Sequence, residues 1–124
     1  MKWILLLFIF LSATAHADAW DATDKNLALA ATAATVIDWG QSRWIAQHEA
    51  AIRASDAFHE VNPILGRHPS MRAVNTYFAA SLIGGALLSN YLSSQHRKWF
   101  LGSVVALELV VIGRNKLIGV GFNF

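Results

Sequence analysis

Two acids stand inside otherwise apolar runs, Asp38 and Glu108, and any chemistry this chain performs has to reckon with them. A carboxyl group in such surroundings is expensive to ionise, so it needs a partner, a proton or a purpose. Helical rise places the two at matching depth. Asp38 lies about 17 Å along a helix that starts at Leu27, and Glu108 about 14 Å along one that starts at Trp99, at 1.5 Å per residue. Both are candidate catalytic residues on that ground. Gln41, Glu60, Asn62, Asn75 and Asn115 fall towards the same end of the respective segments, so a polar cluster of Asp38, Gln41, Glu60, Asn62, Asn75, Glu108 and Asn115 is expected inside a helical bundle. The same residues also suit a plainer role, as hydrogen-bonding glue that holds short helices in register. His48, His59 and His68, with Glu49 and Glu60, do not show the i,i+4 spacing of a zinc helix, so no metal is expected. Phosphate loops, nucleophile elbows and Cys/His pairs are absent from the sequence, and no cofactor is expected.

The elements that must position these groups are apolar. Of 124 residues, 55% are hydrophobic and 15% charged, with no cysteine and a mean hydropathy of +0.39. Soluble domains usually carry about 25% charge, so the composition excludes a disordered chain and a disulfide scaffold. Ten Lys and Arg against eight Asp and Glu are too balanced to suggest a nucleic-acid partner.

Met1-Lys2, the apolar run Trp3–Leu11 and the small residues Ala15 and Ala17 read as a signal peptide, residues 1–17, cleaved after Ala17. The remainder, 18–124, is expected to be a single all-α domain: a membrane helical bundle of three transmembrane helices over about 27–46, 73–92 and 99–118. The second is the clearest, twenty residues from Ala73 to Leu92 without a charge, the length a spanning helix needs. The first is expected to be capped by Thr23 or Asp24 and to continue in helical form to Arg53. Ser93–Lys98 (SSQHRK) reads as a six-residue turn joining the second and third helices. Export of the N-terminus, together with Arg53, Arg67, Arg72, Arg114 and Lys116 on the inner side against Lys25, Arg97 and Lys98 outside, predicts a multi-pass protein of the bacterial inner membrane with a periplasmic N-terminus.

Ser81, Gly85 and Ser89 recur every four residues, a small-residue stripe that suits helix packing. It is the expected contact for self-association or for a larger membrane partner. Asn62-Pro63-Ile64-Leu65-Gly66 reads as a single helical turn: Asn62 caps it, Pro63 takes its first position and Gly66 stops it. Pro69 opens the next helix with Ser70 in its first turn. The ending Ile118–Phe124 (IGVGFNF) alternates like the last strand of an outer-membrane barrel, but no other segment repeats that pattern. A frayed tail is expected there.

Asp38-Trp39-Gly40-Gln41 followed by Glu60-Val61-Asn62-Pro63-Ile64-Leu65-Gly66 resembles a family of small, uncharacterised bacterial and phage polytopic membrane proteins. These carry an intramembrane Asp and a Glu-x-Asn-Pro elbow. The similarity covers about residues 36–77. Where that family often has a Thr shortly after the Asp, this chain has Gln41 and Ser42. The resemblance implies a three- or four-helix membrane fold, no assigned catalysis, and a joint role for Asp38, Glu60 and Asn62. Three functions are therefore open from sequence: a structural or accessory membrane subunit, a membrane-embedded enzyme or proton/ion pathway built on the paired carboxylates, and a phage-type lysis or pore-forming protein.

Overall fold

The computed structural model describes residues 18–48 and 60–124. The expected signal peptide, the continuation of the first helix from residue 49 to Arg53, His59 and Glu49 lie outside them. Within the described residues the chain is all-helical, with three helices and no strand. They are α1 (Ala22–Gln47), α2 (Met71–Tyr91) and α3 (Ser94–Leu117).

The start of α1 corrects the expected cap. Asp21 is the N-cap: its Oδ1 accepts from the backbone N–H of Asp24 at 2.8 Å, and Asp24 Oδ2 accepts from the N–H of Asp21 at 3.1 Å. This reciprocal box satisfies two of the orphan donors at a helix start. Thr23 and Asp24 are thus already helical. Ser70 caps α2, accepting from the N–H of Ala73 at 3.1 Å, rather than lying in its first turn. The largest departure is the second connection. The expected turn Ser93–Lys98 is instead mostly helix, because α3 starts at Ser94 and only Leu92-Ser93 link the two helices. The stretch contains neither Gly nor Pro, so its polarity alone did not break the helix.

α1 is the central element, packed most extensively on α3, less on α2, while α2 and α3 scarcely touch. The α1–α3 bonds keep an almost constant offset: Asp24 with Arg97, Thr35 with Glu108, Gln41 with Asn115. A constant offset of this kind means that α1 and α3 run parallel and in register. α2 runs the other way. Its start meets the C-terminal half of α1 through Asn75 and Phe78 against Trp39, and its end meets α3 through the carbonyl of Ser89. Apolar packing is local: Ala28, Ala31 and Leu101 form one cluster and Trp39, Val74 and Phe78 another.

The last seven residues are not frayed. Gly119, at φ +87, turns the chain back after α3. The N–H of Val120 then bonds to the carbonyl of Asn115 at 2.9 Å, and that of Asn123 to the carbonyl of Gly40 at 3.1 Å. Phe122 covers Gly40, Gly121 faces Trp44, and Phe124 stands edge-on to Trp39 with ring centroids 6.2 Å apart. The tail is a strap across the C-terminal half of α1.

None of the three helices is long and apolar enough to cross a membrane.

Candidate functional site

Thr35, Asp38 and Ser42 follow one another at spacings of three and four, so they form a stripe on one face of α1. All three are buried. Each meets an acid or belongs to one. The Thr35 hydroxyl donates to Glu108 Oε1 at 3.4 Å, and Asp38, one turn further along the same face, has its Oδ1 buried without a hydrogen-bond partner. The Ser42 hydroxyl donates to Glu60 Oε2 at 2.5 Å. Through Ser42, Glu60 joins the same face of α1 one turn beyond Asp38. The centre of the bundle therefore holds three acids drawn from α1, α3 and the connection before α2.

The connection explains how Glu60 reaches this point. Its Oε1 accepts from the N–H groups of Val61 and Asn62 at 2.9 and 3.1 Å, and its own N–H bonds to the carbonyl of Arg67 at 3.1 Å. Asn62 Oδ1 accepts from the N–H of Ile64 at 2.9 Å, and Gly66 at φ +76 closes the turn on the carbonyl of Asn62. The expected elbow is present, and Glu60 is the residue it delivers to the interior, 3% exposed.

The expected cluster is thus brought together in part. Asp38, Glu60 and Glu108 form its core. Gln41 and Asn115 make a separate buried pair one turn further in, with Asn115 Nδ2 donating to Gln41 Oε1 at 3.1 Å and Gln41 Nε2 to the carbonyl of Ile112 at 3.4 Å. Asn75 belongs elsewhere: its Oδ1 accepts from Trp39 Nε1 at 2.9 Å and from Arg43 Nη1 at 2.7 Å. Asn62 serves the elbow and does not enter the cluster.

Among the described residues, the Ser81–Gly85 part of the small-residue stripe packs against no other helix. Ser81 is exposed, and a side chain added at Gly84 or Gly85 would meet nothing within 4 Å. Ser89 is buried, and its hydroxyl bonds to the carbonyl of Gly85 in its own helix at 2.7 Å. Ser81 and Gly85 instead line a groove of about 380 Å³ between α2 and α3, walled by Tyr77, Phe78 and Phe100, with Thr35 and Glu108 also on its surface.

A second polar centre, which the sequence did not suggest, closes the other end of the bundle. Arg97, in the first turn of α3, is fully buried and bonds to four acceptors. Nη1 meets Asp24 Oδ2 at 2.9 Å, Nε the carbonyl of Ser89 at 2.8 Å, and Nη2 the carbonyls of Asp18 and Leu92, both at 3.0 Å. Its guanidinium stands 4.7 Å over the Trp20 ring. Lys98 Nζ lies 3.1 Å from Asp24 Oδ1 and 2.8 Å from Asp21 Oδ2. Burial opposes ionisation of Asp24, but the Asp21 N–H, Lys98 and Arg97 outweigh it and hold its carboxyl below the ordinary value of 3.8. The Lys98 contact lowers Asp21 as well, and Asp21 raises Lys98 above 10.5. Arg97 was concealed because its neighbours read as a polar turn. The signal available was the pair Asp21-x-x-Asp24, whose spacing is that of a capping box.

Comparison with protein-family models, with curated proteins and with solved structures found no match.

Proposed function

We propose that this chain is a small polytopic membrane protein of structural or accessory type, a three-helix bundle that turns its polar side chains inward and its aliphatic ones towards lipid. The observation that carries the reading is the pairing of a polar interior with an aliphatic exterior. Asp24, Thr35, Asp38, Gln41, Ser42, Arg97 and Asn115 are buried beside a small apolar core of Trp39, Ile45, Val74, Phe78 and Leu101, while Leu29, Trp99, Leu107, Val110 and Leu117 are each more than two-thirds exposed. So many buried polar groups are unusual for a domain of this size, and so much exposed aliphatic surface needs a cover.

Charge placement supports the same reading. Between Lys25 and Arg43 on α1 the sole charged type is Asp38, and between Lys98 and Arg114 on α3 it is Glu108; both face the interior. These intervals span roughly 25 and 22 Å at the helical rise, and α2 offers about 30 Å free of charge. A hydrocarbon core is about 30 Å thick, and Lys and Arg at the borders reach to the interface along their own stems. The inward-facing polar residues lower the average hydropathy of each helix without meeting lipid. The proposal rests on the outer surface of the assembled bundle, not on any helix taken alone.

The absence of cysteine makes the test direct. The variants Val110→Cys, Lys25→Cys and Arg114→Cys are expressed singly in bacteria, and membranes are washed with alkaline carbonate. The expected result is a chain that stays in the pellet, with Val110→Cys refractory to a membrane-impermeant maleimide and the other two reactive from opposite sides. Release into the wash together with labelling of Val110→Cys from water would overturn the proposal.

A further inference from the structure

Asp38 is 6% exposed and its Oδ1 is buried without a hydrogen-bond partner. One turn before it on the same face of α1, the Thr35 hydroxyl donates to Glu108 Oε1 at 3.4 Å, which sets the Glu108 carboxyl beside it. Two carboxylates are acceptors only, so neither can satisfy the other. Burial side by side demands a proton on one of them, or a cation between them. None of the ion pairs among the described residues involves Asp38 or Glu108. Facing the pair are Glu60 from the elbow, the Thr35 hydroxyl from α1, and Tyr77 from α2 on the groove wall. Arg43, the nearest cation along α1, directs Nη1 to Asn75 at 2.7 Å. A third acid strengthens the demand for positive charge.

The donor set favours a proton over a metal ion. Two carboxyls and one hydroxyl fall well short of the six to eight oxygens that calcium takes, and among the described residues there is no group of three His, Cys, Asp or Glu arranged to hold a metal. Access exists on one side. Glu108 lines the groove between α2 and α3, while Asp38 lies behind it.

We propose that Asp38 and Glu108 together bind one exchangeable proton, which enters and leaves through the groove by way of Glu108. Hydronium arriving in the groove gives its proton to the Glu108 carboxylate and departs as water. The proton is then shared between the Glu108 and Asp38 carboxyls, with the Thr35 hydroxyl donating to Glu108 Oε1. Release reverses the same step, so charge and atoms balance with water as the sole co-reactant. The site does not depend on membrane placement, and the two proposals fail separately.

The test is infrared spectroscopy of the purified full chain in phosphatidylcholine vesicles at pH 7, reading the carbonyl stretch of protonated carboxyl groups. The wild type is expected to show one such band, lost on raising the pH. Asp38→Asn and Glu108→Gln each put an amide donor opposite the remaining carboxylate, remove the need for the proton, and are expected to abolish the band while helical circular dichroism stays. Asp18→Asn, at the surface, is expected to leave it. Gly85→Trp, which fills the groove, is expected to slow the shift of the band in D2O at least tenfold. Absence of the band in the wild type overturns the site, as does its persistence in both carboxyl variants. A band discharged by sodium at fixed pH replaces the proton with a metal cation and overturns it equally. Unchanged exchange in Gly85→Trp overturns the groove route. A chain that carbonate extracts but that keeps the band refutes the membrane reading alone.

Discussion

Replacing Arg97 with alanine removes four bonds at once from a place where all three helices meet: the start of α1 through Asp24, the end of α2 through the carbonyls of Ser89 and Leu92, and the start of α3 through Arg97 itself. Breaking a buried ion pair by deleting one member costs about 3–5 kcal/mol, because the other charge is stranded. Asp24 is not wholly stranded here, since Lys98 Nζ and the Asp21 N–H remain. That argues for the lower part of the range. Against it, the carbonyls of Ser89, Leu92 and Asp18 lose their guanidinium donor, and each buried acceptor left bare costs about 1–3 kcal/mol where water cannot replace the donor. The expected loss for Arg97→Ala is about 4 kcal/mol, within the range for such pairs. Arg97→Lys keeps the charge but not the planar fork that reaches several acceptors, so it is expected to fall between wild type and alanine. Asp24→Asn leaves Arg97 with its three carbonyls and is expected to cost about 2 kcal/mol, the scale of one charged hydrogen bond. Unfolding by dodecyl sulfate in mixed micelles, followed by circular dichroism and by tryptophan fluorescence, measures these values, and Trp20 beneath the guanidinium reports locally. The Arg97→Ala/Asp24→Asn pair supplies the coupling. A single-variant loss under about 1 kcal/mol, or strict additivity in the cycle, refutes the view that this knot joins the helices.

The same end of the bundle sets the pH limits. Asp21 and Asp24 titrate below 3.8 when folded. Their contribution is present above that value and fades as pH falls through the folded pKa, so an acid limb is expected below about pH 4 and should be reduced in Asp24→Asn. Lys98 titrates above 10.5; its contribution is present below that and fades as pH rises past it, giving an alkaline limb that Lys98→Met removes. Gly40→Ala pushes a methyl group into the Phe122 ring and is expected to cost about 1–3 kcal/mol by overpacking. In a Phe122→Ala background the cost should vanish, and an equal cost in both backgrounds means the strap does not lie on Gly40. Gly85→Leu meets open space, so monomer stability is expected to stay within about 0.5 kcal/mol of wild type; any effect should appear in crosslinked assembly, and a larger drop in stability contradicts an open groove. Ser42→Ala strips Glu60 of its hydroxyl donor at an expected cost of about 1–3 kcal/mol, seen as earlier protease cleavage near the elbow; unchanged cleavage speaks against Glu60 as the anchor.

Regular rise made part of this legible in advance. Helical rise pairs Asp38 with Glu108 in depth because a helix advances by a fixed step, while both helices start five residues earlier than expected, at Ala22 and Ser94. The elbow was legible because Asn, Pro and Gly each restrict the backbone in a known way. The strap was not, since alternation of Gly and Phe in Gly119–Phe124 suits a strand as well as a tail that lays rings on a glycine. Arg97 was not legible either, for a reason that bears on the whole fold. Sequence periodicity reports which face of a helix is apolar, but in this bundle many large apolar residues are exposed and polar contacts join apolar ones in fixing one helix against another. Leucine against leucine tolerates a slip of one turn with little loss, whereas a carboxylate that slips from a guanidinium is left bare in the interior. Asp24 with Arg97, Thr35 with Glu108, and Gln41 with Asn115 are three such ties at nearly the same offset along α1 and α3. Shifting α3 by one turn would break all three at once. The register of the bundle is therefore specified by its polar residues, and the pair at its centre, Asp38 and Glu108, is the one point on that line where two acids rather than complementary groups meet.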